Sequence, residues 1–190
     1  MPMSLSRAAI AVSVLLAPLA LSPSAHGQDL PASGTFTMTT APGILPAWDS
    51  ADITVVGLAP GSVTTSRFSS QATITLPIVA KNGTANATAG GFRIVNTATG
   101  DSVRCLIPTI DTRARVIDCL TSAGYNTAIF TIDDIATRQK FVTAASRTTI
   151  FEGMEIRLTA SGAAVLNREL EASAFSTSVT VATGNLIVRR

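Results

Sequence analysis

Apolar and polar residues alternate along most of this chain in short runs rich in β-branched side chains, and Gly, Pro, Asn and Asp separate the runs. Phe36 and Met38 stand between threonines over residues 34–39, Ile53 and Val55 recur two apart over 52–58, and Ile74 and Leu76 do so over 71–79. The same period predicts strands over 92–96, 101–110, 114–120, 127–132, 140–143 and 153–158. In the last of these Met154, Ile156 and Leu158 share one face while Glu155 and Arg157 take the other, as a sheet with one wet face requires. Residues 178–181 and 185–188 close the chain as one strand bent at Gly184. The prediction is an all-β fold, an antiparallel β-sandwich or flattened barrel of about ten strands with one or two short helices.

Two stretches break the period of two. Residues 159–170 offer Thr159 or Ser161 as an N-cap, with Ala163, Leu166 and Leu170 at helical spacing, and predict a helix across the open end or edge of the sheet. Residues 41–51, with Trp48 and two prolines, predict at most a single helical turn. At the N-terminus Arg7 precedes an apolar run over 8–21, broken by Pro18 and followed by small residues, which is the order of a secretory signal peptide. That run is shorter than the roughly 20 residues a membrane-spanning helix needs. Ala25 and Gly27 place the cut between Gly27 and Gln28, so the expectation is a signal over 1–27 and a single domain over 28–190, secreted and extracellular, with no transmembrane segment in the mature chain.

Processing changes the chemistry available. His26 is the one histidine, and it leaves with the signal. Without imidazole there is no Ser-His-Asp or Cys-His arrangement and no histidine-based zinc site, so the expected metal content is none. The formal charge of +2 falls by one unit with Arg7, charged residues make up 14% of the chain, and basic residues cluster nowhere except Arg189 and Arg190. Nothing there steers the chain to nucleic acid or an anionic membrane.

Cys105 and Cys119 are the only cysteines, and an isolated pair in an exported protein reads as a disulfide. A hairpin centred on Thr112 would set Cys105 directly opposite Cys119 and Ile107 opposite Ile117. Carboxylates are the remaining catalytic candidates. Asp133 and Asp134 would point to opposite faces of a strand, with Asp134 read as a turn residue, while Glu155, with Glu152 nearby, lies on a wet face. Gly90-Gly91 lacks the following glycine and lysine of a phosphate loop and reads as a turn. The sequons starting at Asn82 and Asn86 read as a polar loop.

The order of elements resembles a family of exported actinobacterial β-sandwich proteins related to the HtaA-type haem-uptake domain. The resemblance spans Trp48 to Val188. It rests on Ala51-Asp-Ile-Thr-Val-Val-Gly-Leu-Ala-Pro60, on Ala72-Thr-Ile-Thr-Leu-Pro-Ile-Val79 entering Gly90-Gly91, and on Ile110-Asp-Thr112. It closes on Met154-Glu-Ile-Arg-Leu-Thr-Ala-Ser-Gly-Ala-Ala-Val-Leu-Asn167 followed by Phe175. The resemblance implies a β-sandwich with short helices. In its haem-binding members a tyrosine holds the iron with a histidine supporting it. The mature chain here has no histidine, and its one tyrosine, Tyr125, follows Ala123-Gly124 in a turn rather than a matching N-terminal motif. The haem site is therefore not carried over, and Tyr125 stands as the candidate cofactor-binding residue of the alternative reading only.

The functional expectation is a secreted, monomeric, non-enzymatic binding or scaffolding domain with no cofactor, whose partner is a protein, the cell wall or a small hydrophobic ligand. The alternative is capture of haem or another hydrophobic ligand at the cell exterior. A third reading, a carboxylate-dependent hydrolase, requires two acids facing each other in a cleft. An apolar pocket beside Tyr125 would favour ligand capture, and a filled core with a flat apolar patch would favour a macromolecular partner.

Overall fold

The computed structural model describes residues 30–66, 68–122, 124–143 and 146–189, and of residues 30, 136–143 and 146 the backbone alone. The expected export signal, with His26 and the expected cut between Gly27 and Gln28, lies outside the described residues. Twelve strands and two helices follow one another: β1 (Leu30–Thr40), α1 (Ile44–Asp49), β2 (Ile53–Leu58), β3 (Ser62–Ser66), β4 (Gln71–Asn82), β5 (Ala85–Thr88), β6 (Gly91–Asn96), β7 (Ser102–Asp111), β8 (Val116–Leu120), β9 (Asn126–Ile132), β10 (Ala136–Thr143), β11 (Ser146–Leu158), α2 (Ala160–Glu169) and β12 (Thr180–Arg189). The expected all-β architecture is present, and its form is a barrel. The order β7-β5-β4-β1-β12-β11-β9-β8 returns to β7 through β7–β8 pairing, so eight strands close on themselves. Antiparallel ladders join every step of that ring.

Three long strands change partner part-way along, and this lets a barrel carry side sheets. β4 pairs with β3 over Gln71–Thr75 and with β5 from Ile78 onward. β7 pairs with β6 up to Leu106 and with β5 from Thr109. β11 pairs with β10 through Glu152 and with β9 from Ile156. A bulge lies within or next to each exchange, between Ile78 and Ala80, Leu106 and Thr109, and Phe151 and Met154. A bulge bends its strand and breaks the ladder locally, so it suits a place where one neighbour ends and another begins. Pro77 and Pro108 stand at two of these junctions, where a residue without an N–H is tolerated. At the third, Gly153 takes a positive φ of 64° and its N–H donates to Asn185 Oδ1 at 3.0 Å.

The bulge in β7 corrects the expected hairpin register. Ile107 sits at φ 44° and is exposed, and it is Ile110 that lies opposite Ile117. The turn residues are therefore 112–115, with Leu106 opposite Leu120. Cys105 and Cys119 are offset rather than directly opposite. They share the inward face, with Cα atoms 4.8 Å apart, and form the disulfide.

Two further corrections concern polar strands. β3 is a strand of serine and threonine around Val63, with no apolar alternation to announce it. The segment read as a polar loop around the second sequon is β5, in which Asn86 and Thr88 point inward and are fully buried. Asn86 Nδ2 donates to the carbonyls of Thr84 and Ile110, and Thr88 Oγ1 to the carbonyl of Pro108, which makes a short polar strand acceptable between β4 and β7. Its burial excludes Asn86 as a glycan acceptor. β12 is one strand over Thr180–Arg189; the irregularity beside Gly184 lies opposite it in β11, between Phe151 and Met154, and a second one leaves Val181 of β12 without a partner in β11.

The interior is filled by side chains, as an eight-stranded barrel allows. Phe36, Leu76, Ile117, Met154, Ile156 and Leu186 are all at most 1% exposed. A void of about 10 Å³ remains among Met38, Trp48, Ile74, Phe92 and Phe130. At Gly184 a Cβ would lie 2.7 Å from Ile156 Cδ1, so a larger residue there requires the end of the Ile156 side chain to shift. α1 brings Trp48 against Phe175, with ring centroids 5.5 Å apart.

Candidate functional site

The helix expected to lie across the sheet packs on β9, with lesser contacts to β7 and β11. Thr159 is its N-cap: the side chain accepts from the Gly162 N–H at 2.8 Å, and the residue's own N–H donates to the carbonyl of Ile129. Docking is close. A Cβ on Gly162 would lie 2.1 Å from the Ile129 carbonyl oxygen, so the helix approaches the β9 backbone at a point that only glycine permits. Ala163, Leu166 and Leu170 are buried beneath it. Asn96 Nδ2 donates to the Leu170 carbonyl at 2.8 Å and ties the helix end to the β6–β7 turn. Asn167, the last residue of the closing signature, brackets Phe175 by donating to its carbonyl and accepting from its N–H.

A cleft of about 120 Å³ opens where α2 meets the free edge of β7. β7 lines it with Ser102 and Val103, and the helix with Val165, Arg168 and Glu169. Thr121, Ser122 and Tyr125 of the β8–β9 connection and Thr127 of β9 complete the lining. This connection is held by its backbone. The Tyr125 carbonyl accepts from both the N–H and the hydroxyl of Thr121 at 3.1 Å, and the Gly124 N–H donates to the Thr121 carbonyl. With the main chain anchored, the Tyr125 ring projects outward, 73% exposed. The turn position expected for Tyr125 is the one observed.

Chemically the cleft is mixed. Val103 and Val165 offer apolar surface beside the tyrosine ring, while Ser102, Ser122 and Thr127 offer hydroxyls. Arg168 and Glu169 bond to each other, with Nη2 to Oε1 at 2.7 Å and Nε to the same oxygen at 3.0 Å, so neither charge stands alone at the mouth. Among the described residues the Tyr125 hydroxyl has no hydrogen-bond partner. A phenolate ligand to iron needs a polar or cationic group to hold it, and Arg168, the cation of this cleft, is bound to Glu169. Sequence reasoning reached Tyr125 but missed Val165, Arg168 and Glu169. The signal that could have found them is the polar end of the predicted helix, Asn167-Arg168-Glu169, which must leave the core where the helix ends.

The acids considered from sequence lie elsewhere. Asp133 sits in the loop after β9 and Glu155 on the wet face of β11, and Arg157 lies between them, 2.9 Å from Asp133 Oδ2 and 3.8 Å from Glu155 Oε2. Asp134 and Glu152 are exposed. Among the described residues no group of three or more His, Cys, Asp or Glu is placed to hold a metal ion, and no helix is long and apolar enough to cross a membrane.

Two other carboxylates have displaced proton affinities, and both lie on the β7–β8 hairpin. Burial pushes the Asp111 carboxyl up, but the N–H groups of Ala114 and Arg113, the Thr84 hydroxyl and the Arg113 charge together more than offset this, and the net displacement is downward. Asp118 is raised, by burial first and by the charge of Asp111 second. Asp111 is thereby a turn-capping group, holding 112–115 in place, rather than a reactive one.

The sequence matches no family model and no curated protein. Among solved structures the chain is similar to the haem-binding protein HtaB from Corynebacterium glutamicum, with a TM-score of 0.49 and 11% identity, covering 86% of this chain and 98% of that one.

Proposed function

We propose that this chain is an exported, non-enzymatic binding module that holds part of a small amphipathic ligand in the cleft between α2 and the β8–β9 connection. The observation that carries the reading is the cleft itself, which sets an exposed tyrosine, two valines and four serine or threonine side chains around one opening on a barrel whose interior is full. Its volume of about 120 Å³ is below the roughly 300–1,000 Å³ of pockets that enclose a drug-sized ligand. Such a cleft takes the edge of a ligand, a ring or a short chain, and leaves the rest outside. Tyrosine suits that task because it adds contact area at little conformational cost and keeps a polar tip in water.

Haem capture is the second reading. The observation that favours it is the unpartnered Tyr125 hydroxyl at the mouth of an open cleft, where a flat ring could enter edge-on. In this reading the iron ligand is Tyr125 and Arg168 has to leave Glu169 to support it.

One titration separates the readings. Haemin is added to residues 28–190 while absorbance and ¹H–¹⁵N spectra are followed, with Tyr125→Phe and Val165→Arg as controls. Shifts confined to residues 121–127 and 165–169 and lost in Val165→Arg support the cleft. A Soret shift also lost in Tyr125→Phe makes the site a haem site. Shifts elsewhere, or indifference to both substitutions, overturn the cleft reading.

A further inference from the structure

The side sheet β2–β6–β7 places two arginines directly across from each other. Arg93 of β6 is the register partner of Arg104 of β7, and Val56 of β2 is the register partner of Arg93 on the other side. Directly opposed residues of an antiparallel pair present their side chains on one face, with Cβ atoms about 4.5–5.5 Å apart. That face is the outer one, because the residues flanking each arginine, Phe92 and Ile94 on β6 and Val103 and Cys105 on β7, are buried in the core. Val56 and Arg104 are exposed, and Arg93 lies between them, half-buried. The row Val56–Arg93–Arg104 is thus an outward stripe with two adjacent guanidinium groups.

Like charges set opposite each other destabilise a sheet, and a carboxylate on a neighbouring strand is the usual relief. None is present here. Among the described residues neither guanidinium has an ion pair or a side-chain hydrogen bond, whereas Arg157 and Arg168 each have a carboxylate within 4 Å. The Arg104 backbone N–H donates to Ser122 Oγ. Arg93 Nε is moreover buried and has no hydrogen-bond partner. A donor without a partner beside a second unpaired cation suits an anionic acceptor.

We infer that Arg93 and Arg104 form a binding site for a doubly charged tetrahedral oxyanion of the phosphate type on the outer face of β2–β6–β7. Two planar guanidinium forks supply up to ten N–H donors and two positive charges within one cross-strand spacing. A phosphate dianion matches that set, since it has two charges and enough acceptor oxygens to take hydrogen bonds from both forks at once. A lone carboxylate has one charge and two oxygens, and it satisfies one fork. The Val56 side chain shields one flank of Arg93 from water and strengthens the pairing there. The site stands apart from the cleft and does not depend on it, because Val165 and Tyr125 take no part in the row. The two adjoin at Ser122, which lines the cleft and accepts from the Arg104 N–H.

The test is a titration of residues 28–190 with inorganic phosphate at pH 7.5, reading the arginine Nε–Hε resonances, against acetate and chloride at matched ionic strength. The expected result is saturable movement of Arg93 and Arg104 with phosphate, at least tenfold weaker with acetate and absent with chloride. Arg93→Gln and Arg104→Gln each weaken phosphate binding at least tenfold. Arg104→Lys preserves net charge but removes the fork, and it weakens binding severalfold. Val165→Arg, which fills the cleft, leaves the phosphate titration unchanged. Equal responses to phosphate and acetate, a response to chloride, or full affinity in Arg104→Gln would each overturn the site.

Discussion

The two faces of the β2–β6–β7 sheet, built from alternate residues of the same three strands, are under opposite physical demands. Inward, Ile53, Phe92, Ile94, Val103 and Cys105 are at most 5% exposed and join the barrel core. Outward, Val56, Arg93 and Arg104 form a row in which two charges of the same sign face each other without a carboxylate. The inner face is close to what stability alone selects. The outer face is not, because a threonine or glutamate at either arginine would suit an unliganded sheet better. Residues that a fold tolerates at a cost to stability are where binding is to be sought, and that contrast separates the stabilising face from the binding one.

The largest expected effect is on the inner face. Phe92→Ala removes a ring that lies 6.2 Å from that of Phe130, and should lower the unfolding free energy by about 3–5 kcal/mol in urea titrations. A loss below about 1 kcal/mol would mean that this sheet is not part of the barrel core. Next, replacing Cys105 and Cys119 together by serine, which opens a closure of sequence separation 14, should cost about 3 kcal/mol by the same assay. Gly162→Ala should destabilise by about 1–3 kcal/mol despite the better helix propensity of alanine, since the new methyl meets the Ile129 carbonyl. An increase in thermal midpoint there would disprove close docking of α2.

On the outer face the sign reverses. Arg104→Thr should stabilise the protein by about 0.5 kcal/mol in phosphate-free buffer, and calorimetry with added phosphate should erase or invert the gain. The smallest effects come from the carboxylates of the β7–β8 hairpin, and they sharpen the comparison within one face. Asp111 is lowered on folding, so its contribution is present above the usual carboxylate range and is lost as pH falls through its folded value. Asp118 is raised, so its ionised form opposes folding at neutral pH and that penalty fades as acid protonates it. Asp111→Asn should therefore lower, and Asp118→Asn raise, the thermal midpoint at pH 7. Both differences should shrink towards pH 3.

Much of this was legible along the chain, for reasons that particular residues show. Met154, Ile156 and Leu158 announced an amphipathic strand because a period of two reports which side chains are buried. Thr159 announced α2 because capping is a contact within three residues. The pairing of Cys105 with Cys119 followed from count and setting, but its register did not, because Ile107 and Pro108 spend two residues in a bulge that no periodicity marks. β3 and β5 went unread for a different reason. Their serines, threonines, asparagine and alanines carry almost no apolar signal, and these strands exist because β4 and β7 offer them open backbone edges. The Arg93–Arg104 pairing could have been counted from sequence, since both lie equally far from the turn over 97–100, but a pair of arginines has no meaning until it is known that no acid joins them.

What the order of residues decides here is local: which side chains turn inward and where helices are capped. Closure is not local. Whether ten-odd amphipathic strands stack as a sandwich or close as a barrel depends on backbone bonds between β7 and β8 at one seam and on where the long strands bulge to change partners. The cleft belongs to the same class of fact. Tyr125 and Val165 meet only because Gly162 lets α2 rest on the β9 backbone, and such a meeting is set by how backbones pack, which alternation along a strand does not encode.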